Sequence, residues 1–190
     1  MPEPSPSLSA AQAYVRATSS SILSSEGQFA KRLSKGKALA FDPRKPKKLT
    51  IFAAKKFPAW QEKYVDMVRE AFDSLHLSFN DKELNAKVGK LGEMKKAMPF
   101  VQSLKRRLVN NGEAPENVFE RKLPFDEFAV LGEMISGLKR ISGFSEVEII
   151  AVDEGGKTGD VVGTGEKREG LAAENAVPGQ PLYQFKNIDT

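Results

Sequence analysis

The chain has 190 residues, 40% of them hydrophobic and 28% charged, with 29 Lys and Arg against 25 Asp and Glu. That apolar content suffices for one cored domain with appendages, and no apolar run approaches the ~18 residues a membrane-spanning helix requires. The lack of cysteine excludes disulfides, thiolate nucleophiles and cysteine-based zinc sites, and fits a reducing compartment.

Residues 1–25 are acid-poor and serine-rich and contain Arg16, but arginines are too few along them for a transit peptide. Pro2, Pro4 and Pro6 make an extended leader. Ser7 or Ser9 is placed to cap a helix running to about Ser34, with Leu8, Ala11, Val15, Ile22, Phe29 and Leu33 as an imperfect apolar stripe. Gly36 stops it, and the two prolines of DPRKPKK, 42–48, mark a linker. LTIFAA, 49–54, reads as a short buried strand.

Pro58 suits the first turn of the next helix, because the backbone N–H it lacks would be an orphan donor there. Trp60, Tyr64, Met67, Val68, Ala71, Phe72 and Leu75 recur on one face of that helix. His76 to Phe79 is a connector. Asn80 with Glu83 resembles a capping box for a helix through about Lys90. Helix resumes with Met94, Met98, Val101, Leu104 and Leu108 on one face, where Pro99 implies a kink or a fresh start. Asn111-Gly112 ends it, and a loop containing Pro115 follows.

Asp126 is an N-cap, with Phe125 and Val130 placed as a hydrophobic staple for a helix presenting Phe128, Leu131, Ile135 and Leu138. Gly143 ends that helix, and Val147, Ile149, Ile150 and Val152 make a second buried strand. With helices between the two strands, parallel pairing through a crossover is expected. Residues 153–178 turn abruptly to Gly, Lys, Asp, Glu and Thr, a composition read as disordered. PLYQFKNI, 181–188, regains alternation and is a candidate third, edge strand or equally a linker strand leading into a further part.

The expected fold is therefore a helix-rich α/β class, with one long N-terminal helix and a small two- or three-stranded sheet packed by several helices. Its expected parts are a leader, helix and basic linker at 1–48, an α/β module at 49–152, a disordered segment at 153–178 and a strand-like end at 179–190.

Charge is unevenly distributed: residues 1–48 carry nine Lys and Arg against three Asp and Glu, 49–152 sixteen against fifteen, and 153–190 four against seven. The excess lies in Lys31, Arg32, Lys35, Lys37, Arg44, Lys45, Lys47 and Lys48, a run with the composition of either a phosphate-contacting patch or a solvated linker. Lys105, Arg106 and Arg107 form a second basic cluster. Catalytic chemistry is not legible. His76 is the single histidine and has no cysteine or second histidine with which to share a metal. Gly163-Thr164-Gly165 has no following lysine to complete a phosphate loop. No carboxylate falls in an apolar stretch that would tune it for acid–base work. No catalytic residue, metal ligand or cofactor site is assigned.

The segments KKLTIFAAKKFPAWQEKYVDMVREAF, KKAMPFVQSLKRRL and RKLPFDEFAVLGEMISGLKR, in this order, resemble the C-terminal portion of eukaryotic cytosolic leucyl-tRNA synthetases. AYVRATSSSILSSEGQFAKRLSKGK is similar to the end of that family's helical anticodon-binding region, and VPGQPLYQFKNI to the segment leading into its last small domain. The family's catalytic signatures of the HIGH and KMSKS types, and its editing domain, have no counterpart in this sequence. The resemblance implies a cytoplasmic fragment of a leucine–tRNA ligase that docks tRNA through the two basic clusters without catalysis of its own. ATP and Mg are implied only for the full-length enzyme. The alternative is a protein-interaction scaffold that docks on the catalytic part of a synthetase or on another partner.

Overall fold

The computed structural model describes residues 5–73, 75–120, 123 and 125–188. In chain order its elements are α1 (Pro6–Ser34), β1 (Lys47–Ala54), α2 (Ala59–Ala71), β2 (Phe72–Asp73), β3 (Ser78–Phe79), α3 (Asp81–Lys90), α4 (Met94–Val109), α5 (Pro115–Glu120), α6 (Glu127–Ser142), β4 (Glu146–Val152), β5 (Gly159–Val161), β6 (Lys167–Arg168) and β7 (Leu182–Asn187). The chain is a helix-rich α/β protein. It divides into two compact units, Met1–Phe57 with Leu123–Thr190, and Pro58–Lys122 between them in sequence. β1 and β4 flank the helical unit in sequence yet belong to one sheet, so the stretch 49–152 contributes to both units. Among the described residues no helix is long and apolar enough to cross a membrane.

The first unit is built on a five-stranded mixed sheet of order β6-β5-β4-β1-β7. β1 and β4 pair parallel, Leu49 opposite Val147 and Ile51 opposite Ile149, as the intervening helices lead one to expect. β7 is the edge strand anticipated at 181–188 and lies antiparallel to β1. Alternation along β1 sends Leu49, Ile51 and Ala53 into a core with Tyr14 and Ile22 of α1 and Leu131, Met134 and Leu138 of α6. Phe52 and Ala54 point the other way and join Ile150, Val152, Val161, Ala173 and Ala176. A strand buried on both faces reads as a continuous apolar run, which accounts for LTIFAA.

That second face is covered by residues 153–178, the segment whose composition reads as disordered. The segment carries β5 and β6 and covers the sheet with Val161, Ala173 and Ala176, each under 9% exposed. Its few apolar residues need no core of their own because β1 and β4 already supply one. Glycine permits the close approach: a Cβ on Gly159 would lie 2.7 Å from the Ala151 carbonyl oxygen and 2.8 Å from Ile150 Cγ2. Lys55 clamps the same region, with its ammonium 2.6 Å from Asp153 Oδ1 and 2.7 Å from Asp160 Oδ2.

α1 is capped by Ser5, whose Oγ accepts the Leu8 N–H at 3.3 Å, rather than by Ser7 or Ser9. Pro6 then occupies the first turn, where its missing donor costs nothing. The buried face is Tyr14, Thr18 and Ile22, spaced four apart, and Leu8 is half exposed. Asp126 caps α6 by accepting the N–H groups of Phe128 at 3.1 Å and Ala129 at 3.3 Å, and Gly143 ends it in the left-handed region.

The second unit packs α2, α3, α4 and α5 around Tyr64, Val65, Val68, Leu84, Val88, Val101, Leu104, Leu108 and Val118. α2 begins one residue after Pro58, which is its N-cap, and ends at Ala71, four residues short of the expected Leu75. The chain there turns into a small β2–β3 hairpin, Phe72 opposite Phe79 and Asp73 opposite Ser78. The two phenyl rings meet at 5.2 Å between centroids, an aromatic cross-strand pair that outweighs one more helical turn. α4 runs as one helix through Pro99, and the loop expected around Pro115 is the short helix α5, held by buried Val118.

Candidate interaction surfaces

The eleven basic residues singled out for tRNA divide sharply once their neighbours are known. Lys47 is buried, its ammonium paired with Glu26 and 4.9 Å from the centre of the Phe144 ring, and burial pulls its pKa below the ordinary lysine value. Arg44 forms a fork with Asp42, Nε and Nη2 each 3.0 Å from its carboxylate oxygens. Hydrogen bonds from the Arg44 side chain and backbone bring the Asp42 pKa down to about 2. Lys48 reaches Glu148 at 3.1 Å and Glu146 at 3.8 Å across the β1–β4 ladder.

In the second cluster Lys105 pairs with Asp81, and Arg107 grips Glu113 with Nε and Nη2, the shortest bond being 2.7 Å. That bond holds the Glu113 carboxyl below the usual range. Lys31, Arg32, Lys35, Lys37, Lys45 and Arg106 are exposed. None of these six has an ion pair among the described residues. Five of them belong to the first unit, at the end of α1 and in the loop after it, and Arg106 belongs to the second.

Within the helical unit, the β2–β3 hairpin and α4 bound an open groove of about 500 Å³. Leu77 and Phe79 line one side, and Gln102, Arg106 and Val109 the other. Residues 102, 106 and 109 fall on one face of α4 because they are four and three positions apart. Asp73 organises the turn: its Oδ1 accepts the Leu75 N–H at 2.9 Å and its Oδ2 lies 2.7 Å from His76 Nδ1. Those bonds, the His76 side chain first, keep the Asp73 pKa below its ordinary value. Leu75 is 88% and Leu77 54% exposed. Sequence reasoning placed Leu75 on a buried helix face, and no period in the sequence signals that the helix stops at Ala71.

Sequence reasoning also missed one buried carboxylate. Glu127, at the first position of α6, is 4% exposed and accepts the Tyr14 hydroxyl at 2.7 Å and the Gly179 N–H at 2.8 Å on Oε2. Its Oε1 is buried with no partner among the described residues. Burial pushes the Glu127 pKa up, against those two hydrogen bonds. Tyr14 comes from 113 positions away, so no local pattern announces the site. The arrangement ties α1, α6 and the turn at 179 together and offers no nucleophile or metal ligand set.

Residues 53–121 match the family model described as leucine–tRNA ligase, RagD-binding domain. The chain is 50% identical over 193 residues to the cytoplasmic leucine–tRNA ligase of Neurospora crassa, covering 99% of this chain and 17% of that protein. It is 40% identical over 186 residues to the cytoplasmic leucine–tRNA ligase of Saccharomyces cerevisiae, covering 94% of this chain and 17% of that one. The chain thus spans about a sixth of the length of these curated relatives.

Proposed function

The chain belongs to the family of eukaryotic cytosolic leucine–tRNA ligases as a portion of such a protein, and on that premise we propose that its helical unit is a protein-docking module. One observation carries this reading. The stretch matched by the RagD-binding description, 53–121, nearly coincides with the compact unit Pro58–Lys122. A segment with its own core of buried residues supports a partner surface without help from the rest of the chain. In this reading leucylation, with its ATP and Mg, belongs to parts of the ligases outside the stretch this chain matches.

Calorimetric titration of the 190-residue chain with purified RagD tests the proposal. Saturable binding is the expected result; no heat and no co-elution at micromolar concentrations of both proteins would sink it.

A second reading, tRNA docking, is favoured by one observation: Lys31, Arg32, Lys35, Lys37 and Lys45 are exposed and unpaired among the described residues. Cations held by no internal acid are available to phosphates, and each phosphate contact adds about one unit to the log–log salt slope. Filter binding of tRNA across a salt series tests it. A flat response, or no binding at low salt, would remove tRNA from the account.

A further inference from the structure

Leu77 is the one described residue other than glycine with a positive φ, 48°. A branched side chain in the left-handed region is disfavoured, and such strain persists only where the surroundings impose it, commonly at binding sites. Here Asp73 imposes it, by bonding the Leu75 N–H and the His76 side chain and so presetting the turn. Burial offers no compensation, since Leu75 and Leu77 stand in solvent.

The groove beside this turn sets Leu77, Phe79 and Val109, the last 42% exposed, among the polar Ser78, Gln102 and Asn110. Of the charged groups lining it, Lys105 is held by Asp81 and sits 5.4 Å from the Phe79 ring centre. Arg106 is left without an acid among the described residues. The surface therefore pairs apolar area with one uncompensated guanidinium, which suits a carboxylate with an apolar neighbour.

We propose that this groove receives an acidic, amphipathic segment of a partner protein, which sets an apolar side chain against Leu77, Phe79 and Val109 and a carboxylate on Arg106. The inference rests on the docking role of the helical unit and locates it. Nucleic acid fits the same surface less well. One free cation is too few for a phosphate track, and the Phe79 ring is partly buried behind Lys105 instead of offering a stacking platform.

The test titrates the full chain with a peptide of Glu-Leu-Glu-Phe repeats, followed by amide NMR shifts, with a Lys-Leu-Lys-Phe peptide and tRNA as comparisons. The acidic peptide is expected to shift Leu77, Arg106 and Val109, and the basic peptide is not. Leu77→Gly and Arg106→Glu should each weaken the acidic peptide about tenfold, the scale of losing an interface anchor. Leu77→Gly should melt no lower than the parent, because glycine adopts this φ without strain. A merely structural leucine would not lose binding while keeping stability. Equal binding by Leu77→Gly, shifts elsewhere, no binding, or displacement of the peptide by tRNA would each overturn the proposal. RagD separates this inference from the reading beneath it. RagD bound alike by the parent and Leu77→Gly leaves the docking module standing and removes the groove. The peptide seated in the groove with no RagD binding does the reverse.

Discussion

The hydroxyl of Tyr14, in the third turn of α1, donates to the carboxylate of Glu127 at the start of α6, 2.7 Å away. The same oxygen takes the Gly179 N–H. Three distant stretches are thus fastened by one buried acid, and its protonation is linked to folding. Burial raises the Glu127 pKa above its ordinary 4.5, so the folded chain holds that proton more tightly than the unfolded chain. Its contribution is fully present below the unfolded value and is lost as pH rises through the folded one. Glu127→Gln should abolish this part of the pH dependence, read as urea-unfolding free energy across a pH series. An unchanged slope in the variant would show that Glu127 does not set it.

Tyr14→Phe removes a donor from a buried carboxylate and should cost about 1–3 kcal/mol, the usual penalty for an unsatisfied buried polar group. Because the Tyr14 bond opposes the upward shift of Glu127, the pH at which stability is lost should also move up. A variant with parental stability and midpoint would mean that water replaces the hydroxyl at no cost.

Gly159→Ala forces a methyl onto the Ala151 carbonyl and the Ile150 side chain. The expected loss is about 1–3 kcal/mol, the range for overpacking. Order in the covering segment is checked by hydrogen exchange. The N–H of Val162, bonded to the Ile149 carbonyl at 2.8 Å, and that of Ala173, bonded to Gly156 at 3.0 Å, should be protected in the parent and faster in the variant. Random-coil exchange of both in the parent would bear out the disordered reading of 153–178.

Charge removal should separate the paired from the unpaired cations. Replacing Lys31, Arg32, Lys35 and Lys37 with glutamine should flatten any salt dependence of tRNA binding by up to ~4 units. Replacing Lys48 and Arg44 should leave it nearly unchanged. Lys47→Gln should act on stability, by about 3–5 kcal/mol, because it strands Glu26 in a largely buried site. Equal effects of the two sets on the salt slope would show that the internal ion pairs open on binding.

Short-range periodicities determined the elements. The apolar run at 49–54 and its partner at 147–152 make strands, Asp126 and Gly143 bound α6, and helices between two strands lead to parallel pairing. These features depend on neighbours a few positions apart, so the residues themselves carry them. The tertiary structure decided which charges remain available and which face of each element is covered. Lys47 and Glu26 lie 21 positions apart, Tyr14 and Glu127 113, and Lys55 and Asp160 105. The packing of Val161, Ala173 and Ala176 likewise depends on a sheet face supplied by β1 and β4, and the β2–β3 pairing on the meeting of Phe72 and Phe79. Burial and ion pairing are properties of spatial neighbours, and these neighbours come together only when the chain has folded.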